Sequence, residues 1–318
     1  MAGPELTPGY GALLHSVGIL DLSARGRIRV TGEDRARLLH AMTTNHVQQM
    51  KPGDGLYTFF LNAQGRILAD AYVLCFNDHF LLDTEPETRE SLFQHLDHYI
   101  IADDVSLEDV GADTCCIALE GPGCERAAGE AGLPSPNARY SHAEWGEASV
   151  ARIAMAAKDG VRIYAPAARR DELIPALEAA GAISASAEEA DLIRIQNFRP
   201  RYGRDINESS LPQETQQTHA VHFQKGCYLG QEIVERIRSR GHVNKTLMGF
   251  ALDSAEAPVK GGKLLAAGDK EAGEVTSAAS APEGRSFGIA IVRVPWNRPG
   301  EAVSIAGHRA ELFARSEY

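Results

Sequence analysis

The sequence is poor in the features that mark several protein classes. Of its 318 residues only five are cysteine, at Cys75, Cys115, Cys116, Cys124 and Cys227. An odd number at irregular spacing, with no C-x-x-C pair, is not a disulfide framework, a zinc knuckle or a standing iron–sulfur site. It fits a reducing, cytoplasmic setting. Apolar runs such as residues 72–76 fall far short of the ~20 residues that cross a bilayer, so no membrane partner is expected. The opening Met-Ala-Gly-Pro-Glu has neither the basic nor the apolar region of a secretory signal, nor an Arg/Ser-rich transit pattern. Positive charge is scarce too. The 32 Lys and Arg against 43 Asp and Glu leave −11, which argues against direct nucleic-acid binding. Walker A and H-E-x-x-H patterns are missing. Gly121-Pro-Gly-Cys-Glu-Arg126 opens like a dinucleotide fingerprint but carries Arg where its last glycine belongs. The H-x-x-H pairs His95/His98 and His219/His222 have no carboxylate or cysteine set beside them. They read as solvated histidines, and no metal site is expected.

What is present suffices for a packed core. The 44% hydrophobic and 24% charged residues are ordinary globular values, and the length suits two or three domains. The first third mixes strands and helices. Residues 27–31 alternate like a strand, and 33–42 have helical apolar spacing. Residues 56–61 and 66–76 read as a hairpin joined through Asn62-Ala-Gln-Gly65, where glycine supplies a positive φ. Residues 86–99 read as an amphipathic helix opened by proline. A second unit follows, with strands at 114–120, 150–154 and 161–164 and helices at 171–180 and 188–198. Cys115 and Cys116, adjacent in a strand, point to opposite faces. From about residue 246 the texture becomes short alternating runs with nine glycines, an all-β module. Residues 194–245 hold nine Lys and Arg against five Asp and Glu, so this window is +4 and the rest −15. A local positive region in an acidic chain suits a small anionic ligand; it equally describes a solvated helix face.

The most informative stretch is Lys225-Gly-Cys-Tyr-Leu-Gly-Gln-Glu232, continued by Ile-Val-Glu-Arg-Ile-Arg-Ser-Arg-Gly241. Residues 228–240 read as a helix closed by Gly241, with Glu232/Arg236 and Glu235/Arg238 spaced as helix pairs. That puts Cys227 at or just before the helix N-terminus with Lys225 two residues away, two influences that favour thiolate. A lone cysteine is as readily an inert buried residue; the flanking Lys, glycines and Gln-Glu favour a reactive or transfer thiol.

This motif, with Arg236 and Arg240-Gly241, resembles the signature of the YgfZ-type folate-binding proteins, relatives of the glycine-cleavage T-protein (aminomethyltransferase). Similar stretches run through nearly the whole chain, at 30–34, 44–47, 56–62, 65–70, 203–207, 211–214, 273–277 and 287–293. The resemblance implies an α+β fold: a three-lobed ring of two mixed α+β lobes and a small C-terminal β-barrel around a central folate pocket. The lobes are expected at 1–110, 111–245 and 246–318. The resemblance also implies tetrahydrofolate, or a derivative, as cofactor, with an aromatic lining from the 57–61 strand and arginines on the glutamate tail. Carried onto this chain, the folate-binding candidates are Tyr57, Asn62, Asp70, Arg194, Gln196, Arg236 and Arg240. The candidate reactive residues are Cys227 and Lys225.

Two departures separate this chain from the T-protein branch. T-proteins carry two acidic residues where this chain has Ala69 and Asp70, the first set against the reacting nitrogen. They also carry a pterin-binding Glu where this chain has Gln196, whose amide can bond a pterin edge with a different donor/acceptor pattern and no charge. With the Cys motif, these departures point to a folate-binding protein that supports assembly or repair of iron–sulfur enzymes, with indirect effects on tRNA modification. Its partners would be iron–sulfur client enzymes or assembly proteins. One thiol does not hold a [4Fe–4S] cluster, which takes four ligands, so Cys227 reads as a transfer thiol. The alternatives are a tetrahydrofolate-dependent aminomethyltransferase and a non-catalytic folate-binding or docking module, and whether the chain is an enzyme stays open. Ala69 argues against the transferase, because proton transfer at nitrogen needs a positioned carboxylate. Asp70, one residue on, is expected to face the other side of the strand.

Overall fold

The computed structural model describes residues 7–241, 243–282 and 284–315. The chain opens with α1 (Pro8–His15) and β1 (Gly18–Asp21). A first lobe follows: β2 (Gly26–Thr31), α2 (Arg35–Met42), β3 (Gly55–Leu61), β4 (Ile67–Cys75), β5 (Phe80–Thr84), α3 (Arg89–His98) and β6 (Ser106–Asp109). The expected hairpin is β3–β4, with Gly65 at φ +71° in its turn. The antiparallel sheet runs β3-β4-β5-β2-β6. Its inner face, with Val30, Ala69, Ala71 and Val73, packs on Leu38, Leu39 and Met42 of α2 and Leu92 and Leu96 of α3. Side chains alternate along a strand, so Asp70 and Tyr72 are turned to the opposite face, beside Tyr57 and Phe59 of β3, their register partners.

The second lobe contains β7 (Thr114–Glu120), α4 (Cys124–Glu130), β8 (His142–Trp145), β9 (Ala148–Ala151), β10 (Gly160–Pro166), α5 (Arg170–Ala179), β11 (Ile183–Ser184) and α6 (Ala187–Gln196). Its sheet runs β11-β1-β7-β10-β9-β8. β1 therefore lies between β11 and β7, and the N-terminal segment belongs to this sheet rather than to a unit of residues 1–110. A central strand is buried on both faces, so β1 carries no alternation by which to read it. α4 and α5 cover one face of the sheet, α1 and α6 the other. Cys115 and Cys116 enter cores on opposite faces. α6 starts at a capping box, Ser186 with Glu189. Glu189 also accepts from Tyr10 N (3.0 Å) and the Thr7 hydroxyl, which docks α1 on α6.

The two sheets meet through Leu74, Leu81, Cys116, Ile153 and Tyr164. Between them Asp83 is fully buried and bound by Arg25 (2.5 Å), Arg162 and the Tyr164 hydroxyl (2.6 Å). Burial works against the charge, but the two guanidiniums win and hold its pKa down to about 2. Removing either cation would leave this buried carboxylate with a single guanidinium partner, a destabilising change.

α7 (Gln231–Arg240) leads into the C-terminal module. There β12 (Lys245–Leu252), β13 (Lys263–Ala266), β14 (Lys270–Ser280), β15 (Ser286–Arg293), β16 (Ala302–Ile305) and β17 (His308–Phe313) close a six-stranded barrel. Arg194 of α6 seats the second lobe on it, donating to Asp205 (2.8 Å) and to Ser277 of β14 (3.1 Å). Asp205 accepts in turn from Thr276 (2.6 Å). No helix among the described residues is long and apolar enough to cross a membrane.

Candidate functional site

A cavity lies where the two lobes and the C-terminal segment meet. β3 and β4 bring Tyr57, Asp70 and Tyr72; the segment before β8 brings Arg139 and Tyr140; the segment after α6 brings Arg199, Arg201, Gln217 and His219; Arg315 follows the last strand. Four rings form a closed wall. Centroid separations are 5.2 Å for Tyr57–Tyr72, 5.7 Å for Tyr72–Tyr140, 6.3 Å for Tyr140–His219 and 5.4 Å for Tyr57–His219. The empty space here, its open mouth included, is about 550 Å³, with only about 50 Å³ wide enough to admit the centre of a water molecule.

Two carboxylates, Asp70 and Glu85, and several cations divide the electrostatics. Asp70 is buried and accepts from the Tyr57 hydroxyl at 2.6 Å. Burial, then the Glu85 charge, raise its pKa to about 7, against the Tyr57 hydrogen bond and the Arg25 charge. Arg25, Arg194 and Arg201 are neutralised, by Asp83 and Glu85, by Asp205 and Asp191, and by Glu85 and Glu87. Arg139 lies over the Tyr140 ring (4.7 Å) and Arg315 donates to Gln217 (3.3 Å). Neither forms an ion pair among the described residues. Burial, then Arg315, Arg139 and Arg199, push the His219 pKa down to about 3. His219 is therefore a neutral ring inside a positive pocket, not the solvated histidine its spacing suggested. Among the described residues no group of three or more His, Cys, Asp and Glu side chains is placed to hold a metal ion.

The structure brings Tyr57, Asp70 and Arg194 to this cavity and places the other expected residues elsewhere. Asn62 closes the β3–β4 turn, accepting from Gln64 N and Arg66 N (both 3.0 Å). Gln196 exchanges hydrogen bonds with the Tyr10 hydroxyl. Arg236 and Arg240 are exposed on α7. Charge counting could not separate them from the cavity arginines, because it carries no information about which way a segment faces. Lys225 is buried and donates to the carbonyls of His40 and Thr43 at the end of α2, while His40 Nε2 donates to Lys225 O (3.0 Å). Burial lowers the Lys225 pKa to about 7. Lys225 thus plugs a helix C-terminus, and its ammonium points away from the role expected beside a thiol.

Cys227 is exposed, whereas the other four cysteines are buried. α7 begins at Gln231, after Gly230 in a left-handed conformation. The helix thus starts three residues later than the expected Tyr228, and Cys227 precedes it by a turn-length loop. Gly241 closes α7 as expected, at φ +78°. Of the two expected helix pairs, Glu235–Arg238 forms (3.4 Å); Glu232 and Arg236 form no ion pair among the described residues. Sequence reading missed Tyr140, His219, Gln217, Arg139 and Arg315. The one available signal was alternation, since Asp70 and Tyr72 two apart on β4 must share a face.

Comparison with known proteins agrees with this architecture. The model of the GCVT N-terminal domain matches residues 9–225, and that of the glycine cleavage T-protein C-terminal barrel domain matches 245–314. An aminomethyltransferase of Rubrobacter xylanophilus is 30% identical over 291 residues, covering 89% of this chain and 78% of its own length. A protein of Arabidopsis thaliana named "Putative transferase At1g60990, chloroplastic" is 27% identical over 312 residues, 96% of this chain and 72% of its own. The crystal structure of the glycine cleavage system aminomethyltransferase T of Bartonella henselae superposes with a TM-score of 0.88 at 19% identity, over 98% of this chain and 90% of that one, a likeness of fold. The chain belongs to the GCVT family, the family of the glycine cleavage T-protein.

Proposed function

We propose that the central cavity binds tetrahydrofolate and that the chain carries out one-carbon transfer of the aminomethyltransferase type, with Asp70 as the proton-handling group. The observation that carries this reading is the direction of residue 70. Ala69 packs in the lobe core and Asp70 faces the cavity, so the loss of an acid at 69 removes nothing from the site. The carboxylate that the transfer chemistry needs is present, and the objection raised by Ala69 falls away.

The residues suit the cofactor chemically. Four rings in tilted and stacked contact offer faces to a planar heterocycle, and Arg139 and Arg315 offer donors to a dicarboxylate tail. Only about 50 Å³ of the cavity is wide enough for the centre of a water molecule, below the roughly 300–1,000 Å³ of ligand sites, so binding the cofactor requires the lining side chains to open. Tetrahydrofolate, when bound, supplies the amine nitrogens that accept a one-carbon unit. Asp70 Oδ2 takes a proton from such a nitrogen or returns it, and its pKa of about 7 matches it to that task near neutral pH. Tyr57 donates to the carboxylate and holds its orientation. The aromatic wall and the lobe contacts exclude water.

The test is methylene-tetrahydrofolate formation from tetrahydrofolate and an aminomethylated lipoyl carrier protein. Asp70→Asn is expected to lose at least 100-fold in rate, the general-acid/base scale. Equal rates for variant and wild type would refute the reading. A second reading, as a YgfZ-type protein supporting iron–sulfur enzymes, is favoured by one observation: Cys227 alone among the five cysteines is exposed, within the Lys-Gly-Cys-Tyr motif. On that reading the chain works in a reducing cytoplasm, its partners are iron–sulfur client or assembly proteins, and its effect on tRNA modification is indirect. Full rescue of iron–sulfur enzyme activity by Cys227→Ser in a deletion strain would remove its main residue.

A further inference from the structure

Gln217 is 5% exposed and touches both ends of the cavity's polar chemistry. Its Nε2 donates to the Tyr57 hydroxyl (3.4 Å) and its Oε1 accepts from Arg315 Nη1 (3.3 Å). Both contacts are long, but together they fix direction. A guanidinium only donates, so the amide oxygen faces Arg315 and the amide nitrogen faces Tyr57. The Tyr57 oxygen then accepts from Gln217, and its own O–H is left to donate to Asp70 Oδ2 at 2.6 Å. A phenol donating to a carboxylate favours the ionised acid, against burial and the Glu85 charge. Asp70 also feels Arg25 from before β2 and lies near Tyr202 from after α6.

The backbone is built to deliver this amide. Gln216 adopts φ +57°, uncommon for a residue with a side chain. Its side chain is engaged elsewhere, donating to Leu247 O of β12 and accepting from Arg315 N (3.0 Å). The Thr215 hydroxyl donates to Pro212 O (2.8 Å) and accepts from Gln217 N (3.2 Å). Residues 215–217 are clamped between the barrel and the C-terminal segment, with Gln217 turned into the cavity.

We infer that Gln217 is a positioning residue for the one-carbon step: it holds Tyr57 as a hydrogen-bond donor to Asp70 and so fixes the pH range over which Asp70 takes up and returns a proton. Its catalytic consequence rests on the folate reading; its test does not. Carbon-13 NMR of the Asp70 carboxyl in the ligand-free full-length protein reads the titration midpoint directly. Gln217→Leu is expected to raise that midpoint by about one unit, the size of one lost or redirected hydrogen bond. Gln217→Glu, whose carboxylate competes for the Tyr57 proton, raises it further. Tyr57→Phe raises it as well, and adding Gln217→Leu to Tyr57→Phe leaves it where it is, because the route through Tyr57 is already cut. An unmoved midpoint in Gln217→Leu overturns the inference, as does a shift that persists in the Tyr57→Phe background. Should Gln217→Leu not fold, the Tyr57→Phe and Gln217→Glu arms decide alone. Absence of tetrahydrofolate chemistry in the wild type would refute the folate reading while leaving this titration interpretable.

Discussion

Asp70 shows how much one residue's facing decides. From sequence it looked like the surviving half of an acidic pair, on the wrong side of the strand. In the structure its neighbours Ala69 and Ala71 fill the core under α2 and α3, and Asp70 is the residue that meets Tyr57. The misreading came from fixing the face by analogy rather than by the pattern of buried neighbours, which the sequence does contain. The burial that makes Asp70 useful also costs stability. Its folded pKa of about 7 lies above the usual 3.8. The folded state is therefore not penalised below about pH 4, loses stability as pH rises through 4 to 7, and is penalised in full above 7. Asp70→Asn removes the penalty. Thermal unfolding is expected to give similar midpoints for variant and wild type at pH 4, and a higher midpoint for the variant at pH 8, reflecting a stabilisation of a few kcal/mol at most. A variant no more stable at pH 8 would mean that Asp70 is ionised and well solvated in the native protein.

Regular elements were the most legible part of the chain. The β3–β4 hairpin, the strand at Thr114–Glu120 and the glycine closing α7 follow from alternation and turn chemistry. What resisted was irregular backbone. Tyr140 (φ +67°) and Gln216 (φ +57°) sit in left-handed conformations outside any helix or strand, so no periodicity announces the cavity residues beside them. The start of α7 was misjudged for a related reason. Gly230 takes φ +82° because the β3–β4 turn presses on it: a Cβ there would lie 2.6 Å from Asn62 O. The helix starts after that contact, and the Cys227 loop is left free of it. Gly230→Ala is expected to destabilise the protein by at least ~1–2 kcal/mol, the left-handed penalty alone, read as a lower urea midpoint at unchanged slope. An unchanged midpoint would show that the hairpin and α7 are not pressed together as described.

At the scale of the whole molecule, a chain of net charge −11 concentrates cations where its lobes converge. The positive window at 194–245 was visible in sequence, but it divides in three dimensions. Arg194, Arg199 and Arg201 turn inward, while Arg236 and Arg240 stay outside on α7. Arg139 and Arg315, from outside that window, complete the pocket. The C-terminal β module could be read in advance because composition changes near residue 245, and the lobes came from the family resemblance; the pocket could not be read, because it is assembled from segments far apart in the chain. The central claim is that the anionic cofactor binds in this cavity and not along α7. Anaerobic calorimetric titration of tetrahydrofolate into the wild type, an Arg139→Ser/Arg315→Gln double variant and Arg236→Ala tests it most directly. The account predicts one saturable site, weakened at least tenfold in the double variant, which corresponds to about 1.4 kcal/mol, and unchanged in Arg236→Ala. No saturable binding to the wild type, or weakening in Arg236→Ala with the double variant unaffected, would contradict it.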